Sequence, residues 1–142
     1  MSRTIEFQTE YKYEWERRNA EVFWRPEINA MFRSKTGKSR RGRALVDSGA
    51  DWCAMPKDVA VDHLGIDIGS CPVETLKGIA GLTKIPYTTM VVRAVGIERE
   101  CKVLLMDSDL YLVGRIPFFS LFDVAFHEET NGSNSRILFA KK

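Results

Sequence analysis

The chain opens on a clear alternation. Ile5, Phe7, Tyr11, Tyr13 and Trp15 stand at odd positions, while Glu6, Gln8, Glu10, Lys12, Glu14 and Glu16 fill even ones. A period of two, built from aromatic and β-branched residues, predicts a strand over residues 5–15 with one buried face; a helix would scatter those aromatics around its circumference. A second strand is predicted over residues 22–33, with Pro26 at an edge or bulge because proline cannot donate to a ladder. A turn centred on Gly37 is expected over residues 35–41. Arg43-Ala44-Leu45-Val46 is then a short apolar run that leads straight into Asp47-Ser48-Gly49. Pro56 opens a predicted helix through about Leu64, with Val59, Ala60, His63 and Leu64 on one face and Gly65 as its stop.

The second half reads as short strands. Residues 73–77 and 85–95 flank Gly78-Ile79-Ala80-Gly81, which predicts a β-hairpin with a glycine-punctuated tip. Another strand is expected over 98–106. Tyr111-Leu112-Val113-Gly114-Arg115 reads as a buried strand ending at glycine, and residues 117–122 as a helical turn with Pro117 at its first position. Residues 123–129 and 136–141 alternate around Asn131-Gly132-Ser133-Asn134 and predict a last hairpin. Repeats, low-complexity stretches and linkers are absent from the sequence. The expectation is one all-β domain over residues 1–142 with one or two short helices.

Composition narrows the function classes. The 142 residues are 44% apolar and 28% charged, enough for one real core and ordinary for a globular chain. No apolar run approaches the length of a membrane span, so no membrane partner is expected. Residues 1–8 carry one positive charge and no apolar stretch, which predicts no secretory leader and a cytoplasmic location. Cys53, Cys71 and Cys101 are odd in number and lack metal-ligand spacing, so three reduced thiols and no metal or other cofactor are expected. Asn131-Gly132-Ser133 fits a glycosylation acceptor but reads as a turn.

Net charge is +2, too small to argue for nucleic acid, and none is expected as a partner. The basic cluster of Lys35, Lys38, Arg40, Arg41 and Arg43 reads as a solvated loop between strands. Nucleic-acid binding through residues 38–43 stays as a weaker alternative, marked by affinity that would fall steeply with salt. Thr36-Gly37-Lys38-Ser39 looks like the end of a phosphate-binding loop, but that loop needs a glycine where Phe32 stands.

Asp47-Ser48-Gly49 carries the chemistry. The preceding apolar run makes Asp47 the end of a buried strand, Gly49 permits a tight turn, and the Ser48 hydroxyl can lock that turn through a backbone carbonyl. Three segments together resemble the retropepsin-like (retroviral-type) single-domain aspartic proteases, in the form of a cellular or bacterial member. Leu45-Val46-Asp47-Ser48-Gly49-Ala50-Asp51 is similar to the family's catalytic loop. Lys77-Gly78-Ile79-Ala80-Gly81-Leu82-Thr83-Lys84-Ile85 resembles its flap, and Leu112-Val113-Gly114-Arg115 its hydrophobic-hydrophobic-Gly-Arg strand. The resemblance covers residues 26–126. Residues 1–25 form an N-terminal strand extension and 127–142 a C-terminal hairpin arm, both outside it. Ser48 replaces the commoner Thr but keeps the hydroxyl, and Ile116 stands where Asp or Asn usually follows Gly-Arg.

The resemblance implies a small closed β-barrel-like domain with a flap hairpin, acting as a two-fold homodimer on an extended peptide or protein substrate. It implies catalysis by Asp47, support by Ser48 and Gly49, and substrate contacts from Gly49, Ala50, Asp51, Gly78, Ile79, Ala80 and Gly81. It also implies an ion pair between Asp51 and Arg115 beneath the site. Aspartic proteolysis needs two carboxylates that share a proton and hold one water, and this chain carries a single Asp-Ser-Gly. Asp107-Ser108-Asp109 lacks the glycine and the apolar lead-in. Two copies that place their Asp47 side chains on one axis would complete the site. The alternative from another class is a dimeric peptide-binding or scaffold module that kept the fold and lost turnover.

Overall fold

The computed structural model describes residues 4–142, and the chain is mostly β. Expectations that fall on residues 1–3 lie outside these described residues. In chain order come β1 (Thr9–Lys12), β2 (Glu14–Arg18), β3 (Glu21–Arg25), β4 (Glu27–Arg33), β5 (Ser39–Val46), β6 (Cys53–Pro56), helix α1 (Lys57–Leu64) and β7 (Val73–Gly78). β8 (Gly81–Ala94), β9 (Ile97–Met106), β10 (Tyr111–Val113), β11 (Phe122–His127) and β12 (Arg136–Lys141) follow. Among the described residues no helix is long and apolar enough to cross a membrane.

Seven strands pair in the order β4-β5-β10-β6-β9-β8-β7, and β4 pairs again with β8. The second pairing closes a ring of six strands, with β7 attached outside it to β8. Closure removes the edges that an open sheet would leave. Phe32, Val46, Met55, Val92, Val103 and Val113 point into this barrel and are almost wholly buried. Each comes from a different strand of the ring, and along β4 and β5 the burial alternates as period two requires. Helix α1 packs on β5, β6 and β9 through Ala60 and Leu64, and Gly65 ends it in the left-handed conformation at φ 67°. His63, expected on the packed face, is exposed.

β10 enters the ring by a long-range insertion. It runs parallel to β5 (Tyr111↔Ala44, Val113↔Val46) and antiparallel to β6 (Leu112↔Ala54). The Tyr111 ring lies flat over Gly42, where a Cβ would come within 2.7 Å of three ring carbons. It also meets Phe32 at a centroid distance of 5.5 Å. After β10 the chain makes a helical turn over Arg115–Phe119, with the Ile116–Pro117 peptide cis and Phe118 buried.

The N-terminal third departs from the predicted pattern. The strand expected over 5–15 is two strands broken at Tyr13, whose amide donates to Ser135 O at 3.0 Å. β1 pairs with β12, and β12 pairs on its other side with β11, giving a separate three-stranded sheet around Phe139. β2 turns away to pair with β3. Only Tyr11 and Tyr13 of the odd-numbered aromatics gain cover, while Ile5, Phe7 and Trp15 stay exposed. The strand expected over 22–33 is likewise two, because Pro26 offers no amide for a continuous ladder.

The basic segment is also not a loop. A tight turn at Ser34 to Gly37, held by Gly37 N–H to Ser34 O (3.0 Å) and Ser34 N–H to Lys38 O (2.9 Å), lets β5 begin at Ser39. Arg40, Arg41 and Arg43 therefore stand on a paired strand and are exposed. All three cysteines are free thiols. Contact with Cys53 and burial together push the Cys101 thiol far up, which keeps it protonated.

The Tyr13 side chain ties the end of β1 to the chain just past β11. Its Oη donates to Glu128 Oε1 at 3.3 Å, and burial, then the neighbouring carboxylate, push the phenol up to about 12 from its ordinary 10.0. A group raised on folding contributes stability that is complete below its unfolded value and lost as pH rises through the folded one. Thermal unfolding followed from pH 9 to pH 12 should thus show a falling midpoint above about pH 10. The part of that fall owed to Tyr13 should vanish in Tyr13→Phe.

Candidate active site

Asp47 follows the last residue of β5, where the chain must leave the barrel wall. Its N–H donates to Val113 O at 3.0 Å, its carbonyl accepts from Ala50 N–H at 3.3 Å, and its Oδ1 accepts from Gly49 N–H at 2.8 Å. The carboxylate is thus held by the turn it begins, with a backbone donor fixing one oxygen. It is half-buried, Ser48 and Gly49 are exposed, and Ala50 is half-buried. A Cβ on Gly49 would sit 3.3 Å from Asp47 Oδ1, so glycine leaves that oxygen uncrowded.

The second wall of the loop is the end of β10. Arg115 N–H donates to Ala50 O at 2.8 Å and Ile116 N–H to Asp51 O at 2.9 Å. Gly114 makes this approach possible, because a Cβ there would lie 2.3 Å from Trp52 O and 2.9 Å from Ala50 O. Both obstacles are backbone and cannot swing aside. The Asp51–Arg115 pair is present as a single contact of 3.6 Å between side chains that are 66% and 61% exposed. In the single chain this is a loose surface pair rather than a bidentate fork, and such pairs contribute roughly 0–1 kcal/mol.

The predicted hairpin forms from β7 and the first part of β8, with Gly78 opposite Gly81 and Ile79-Ala80 as its two-residue turn. Its base is fastened where Tyr87 N–H donates to Pro72 O at 3.0 Å. Beyond that point it leaves the barrel. Ile79 is fully exposed, and a Cβ at Gly78 or Gly81 would meet nothing within 4 Å. The structure therefore gathers Asp47, Ser48, Gly49, Ala50, Asp51 and Arg115 into one neighbourhood, while the tip residues Gly78, Ile79, Ala80 and Gly81 stand clear of it.

A groove of about 470 Å³ runs between the loop and the hairpin base. Gly49, Ala50, Asp51 and Trp52 line one side, Glu74 to Lys77 the other, and Ala54, Leu104, Met106 and Leu112 the floor. Asp47 does not line it, but its neighbours do. The groove's apolar floor and backbone-rich flanks suit an extended peptide whose alternate side chains need cover.

Lys102, Glu74, Trp52 and Tyr87 form a group that was not singled out from the sequence. Lys102 Nζ lies 2.9 Å from Glu74 Oε2, and 4.3 Å and 4.2 Å from the ring centroids of Trp52 and Tyr87. One cation thus ties the loop, the hairpin base and the barrel wall. The four residues span positions 52 to 102, so no local period could have joined them. Gly114 was legible only as a strand end; its role as a close-approach point needs the loop opposite.

No family model matches this sequence, and no curated protein matches it either.

Gly114→Ala should lower unfolding stability by on the order of 3 kcal/mol through backbone overpacking, while Gly78→Ala stays within about 0.5 kcal/mol, both read from urea midpoints. Lys102→Met should loosen the hairpin base by about 1 kcal/mol, seen as several-fold faster amide exchange over β7 with the barrel strands unchanged.

Proposed function

We propose that this chain is an aspartic endopeptidase of retropepsin-like fold, working as a homodimer in which two Asp47 carboxylates share one site. The observation that carries the reading is the way Asp47 is held. An Asp-Ser-Gly turn leaves the barrel at the end of β5, is braced by the end of β10 at Gly114, and adjoins a groove flanked by the base of the β7–β8 hairpin. The six-stranded closed ring and the insertion of β10 beside β5 support the fold assignment.

In this reading a water lies between the two carboxyl groups, one ionised and one protonated, since like charges so close cannot both be ionised. The ionised group takes a proton from the water as its oxygen bonds to the scissile carbonyl carbon. The protonated group gives its proton to the carbonyl oxygen. Collapse of the tetrahedral species breaks the C–N bond: the first carboxyl returns its proton to the leaving nitrogen, and the second takes back the proton it gave to the oxygen, which leaves a carboxylic acid, an amine and the pair as it began. Ser48 braces the pair across the axis, and Gly49, Ala50 and Asp51 meet the substrate backbone. The hairpin tip at Gly78 to Gly81 closes over the bound peptide and excludes water. No cofactor enters the scheme.

Incubating the purified chain with a pool of unstructured peptides from acid to neutral pH tests this. Cleavage should appear and fall by about three orders of magnitude or more in Asp47→Asn, with the fold retained by circular dichroism. Peptide binding without cleavage at every pH would point to a binding module instead.

A further inference from the structure

The β2–β3 hairpin leaves the barrel at Pro26, whose carbonyl accepts from Val46 N–H at 2.8 Å. Its outer strand therefore emerges beside the end of β5 that carries Asp47. Among the described residues β3 pairs only with β2. It reads Glu21-Val22-Phe23-Trp24-Arg25, and its three apolar side chains are 47%, 42% and 37% exposed. Free edges are normally blunted by lysine, proline or a bulge, and β3 has no lysine or proline.

The hairpin turn is Asn19-Ala20, with Asn19 at φ 56° and Arg18 opposite Glu21. In such a two-residue hairpin the closing pair exchanges hydrogen bonds, and the pattern alternates from there. Glu21, Phe23 and Arg25 thus direct their backbone groups toward β2. Val22 and Trp24 direct theirs outward, to the open edge.

We propose that β3 is a self-docking strand: two copies of this chain pair it antiparallel about a two-fold axis through Phe23, joining their hairpins into a four-stranded sheet. In that register Val22 faces Trp24 of the partner subunit, and the outward backbone groups meet in a hydrogen-bonded pair on each side of the axis. Phe23 packs on its own copy across the other face. Glu21 stands opposite Arg25 of the partner subunit at both ends, as an isologous contact requires. Within its own chain the Glu21 side chain has no hydrogen bond or ion pair among the described residues. Arg25 Nη1 lies 3.1 Å from Glu16, and its fork keeps further donors.

Competing edges fit less well. β2 centred on itself would set Glu16 against Glu16 of the partner subunit, like charges directly opposite. Both edges of β12 are already taken by β1 and β11. The inference deepens the proposed dimer and rests on it for the placing of the axis near Asp47, but its test needs no cleavage.

The test is sedimentation of the full chain beside Glu21→Arg, Arg25→Glu and Phe23→Lys, each alone, and of the two charge reversals mixed. The unsubstituted chain should dimerise. Each reversal sets like charges at both ends of its own pairing and should weaken self-association about tenfold or more; Phe23→Lys, exposed and on the axis, should do the same. The equimolar mixture should recover dimers, because opposite charges then meet at both ends. An unsubstituted chain that stays monomeric, a dimer indifferent to all three substitutions, or reversals that remain apart when mixed would each overturn the proposal. A dimer that ignores these substitutions yet cleaves peptides sinks this surface alone; a β3-dependent dimer that never cleaves leaves the surface standing and removes the Asp47 reading.

Discussion

Strand β10 has to fit between β5 and β6, and the rest of the molecule is arranged around that insertion. Three residues of strand fill the gap in the barrel wall, and the backbone on either side is drawn tight against them. Val113 O receives the Asp47 amide, and the amides of Arg115 and Ile116 reach back to Ala50 and Asp51. These bonds join segments more than sixty positions apart, so they form only when the barrel closes. Gly114 sets the distance at which they can form, since any side chain there would collide with the Trp52 carbonyl. The geometry of the Asp47 turn is therefore a property of the closed barrel, and β5 alone would not maintain it.

Around this rigid centre the fold hangs elements that are only locally secured. The β7–β8 hairpin is paired strand to strand, but beyond Tyr87 it has no sheet neighbour on either outer edge among the described residues. Lys102 supplies an anchor at its base by meeting Glu74, Tyr87 and Trp52 together. An anchored base with a free tip is the mechanical arrangement that a closing hairpin needs, since stiffness is confined to the hinge end. The β2–β3 hairpin is secured differently. Trp24 packs on Gly132 so closely that a Cβ there would lie 2.2 Å from the indole, which ties the hairpin to the C-terminal sheet. Its remaining apolar surface faces outward.

Charge is distributed to match. The arginines of β5 face solvent on a paired strand, and Arg43 reaches Glu14 at 3.7 Å while Arg25 and Arg18 both reach Glu16. Of the residues that look like a basic cluster in sequence, Arg43 is met by a carboxylate of the N-terminal hairpin.

Several features could be read from the sequence because their causes are local. The turn at Asp47 follows from an apolar run, a hydroxyl and a glycine; α1 follows from Pro56 and Gly65 with Ala60 and Leu64 four apart; the β7–β8 and β11–β12 hairpins follow from turn residues between alternating runs. Alternation also announced strands near the N-terminus, but it could not say where they break or what covers them. One face of residues 5–15 is apolar except at Thr9, yet only Tyr11 and Tyr13 found a sheet to rest on, because the pairing with β12 is only four residues long there. The position of β10, the contact at Gly114 and the Lys102 group were decided by tertiary structure alone. Periodicity acts within a few residues of itself, whereas these features depend on which distant edges meet once the barrel closes.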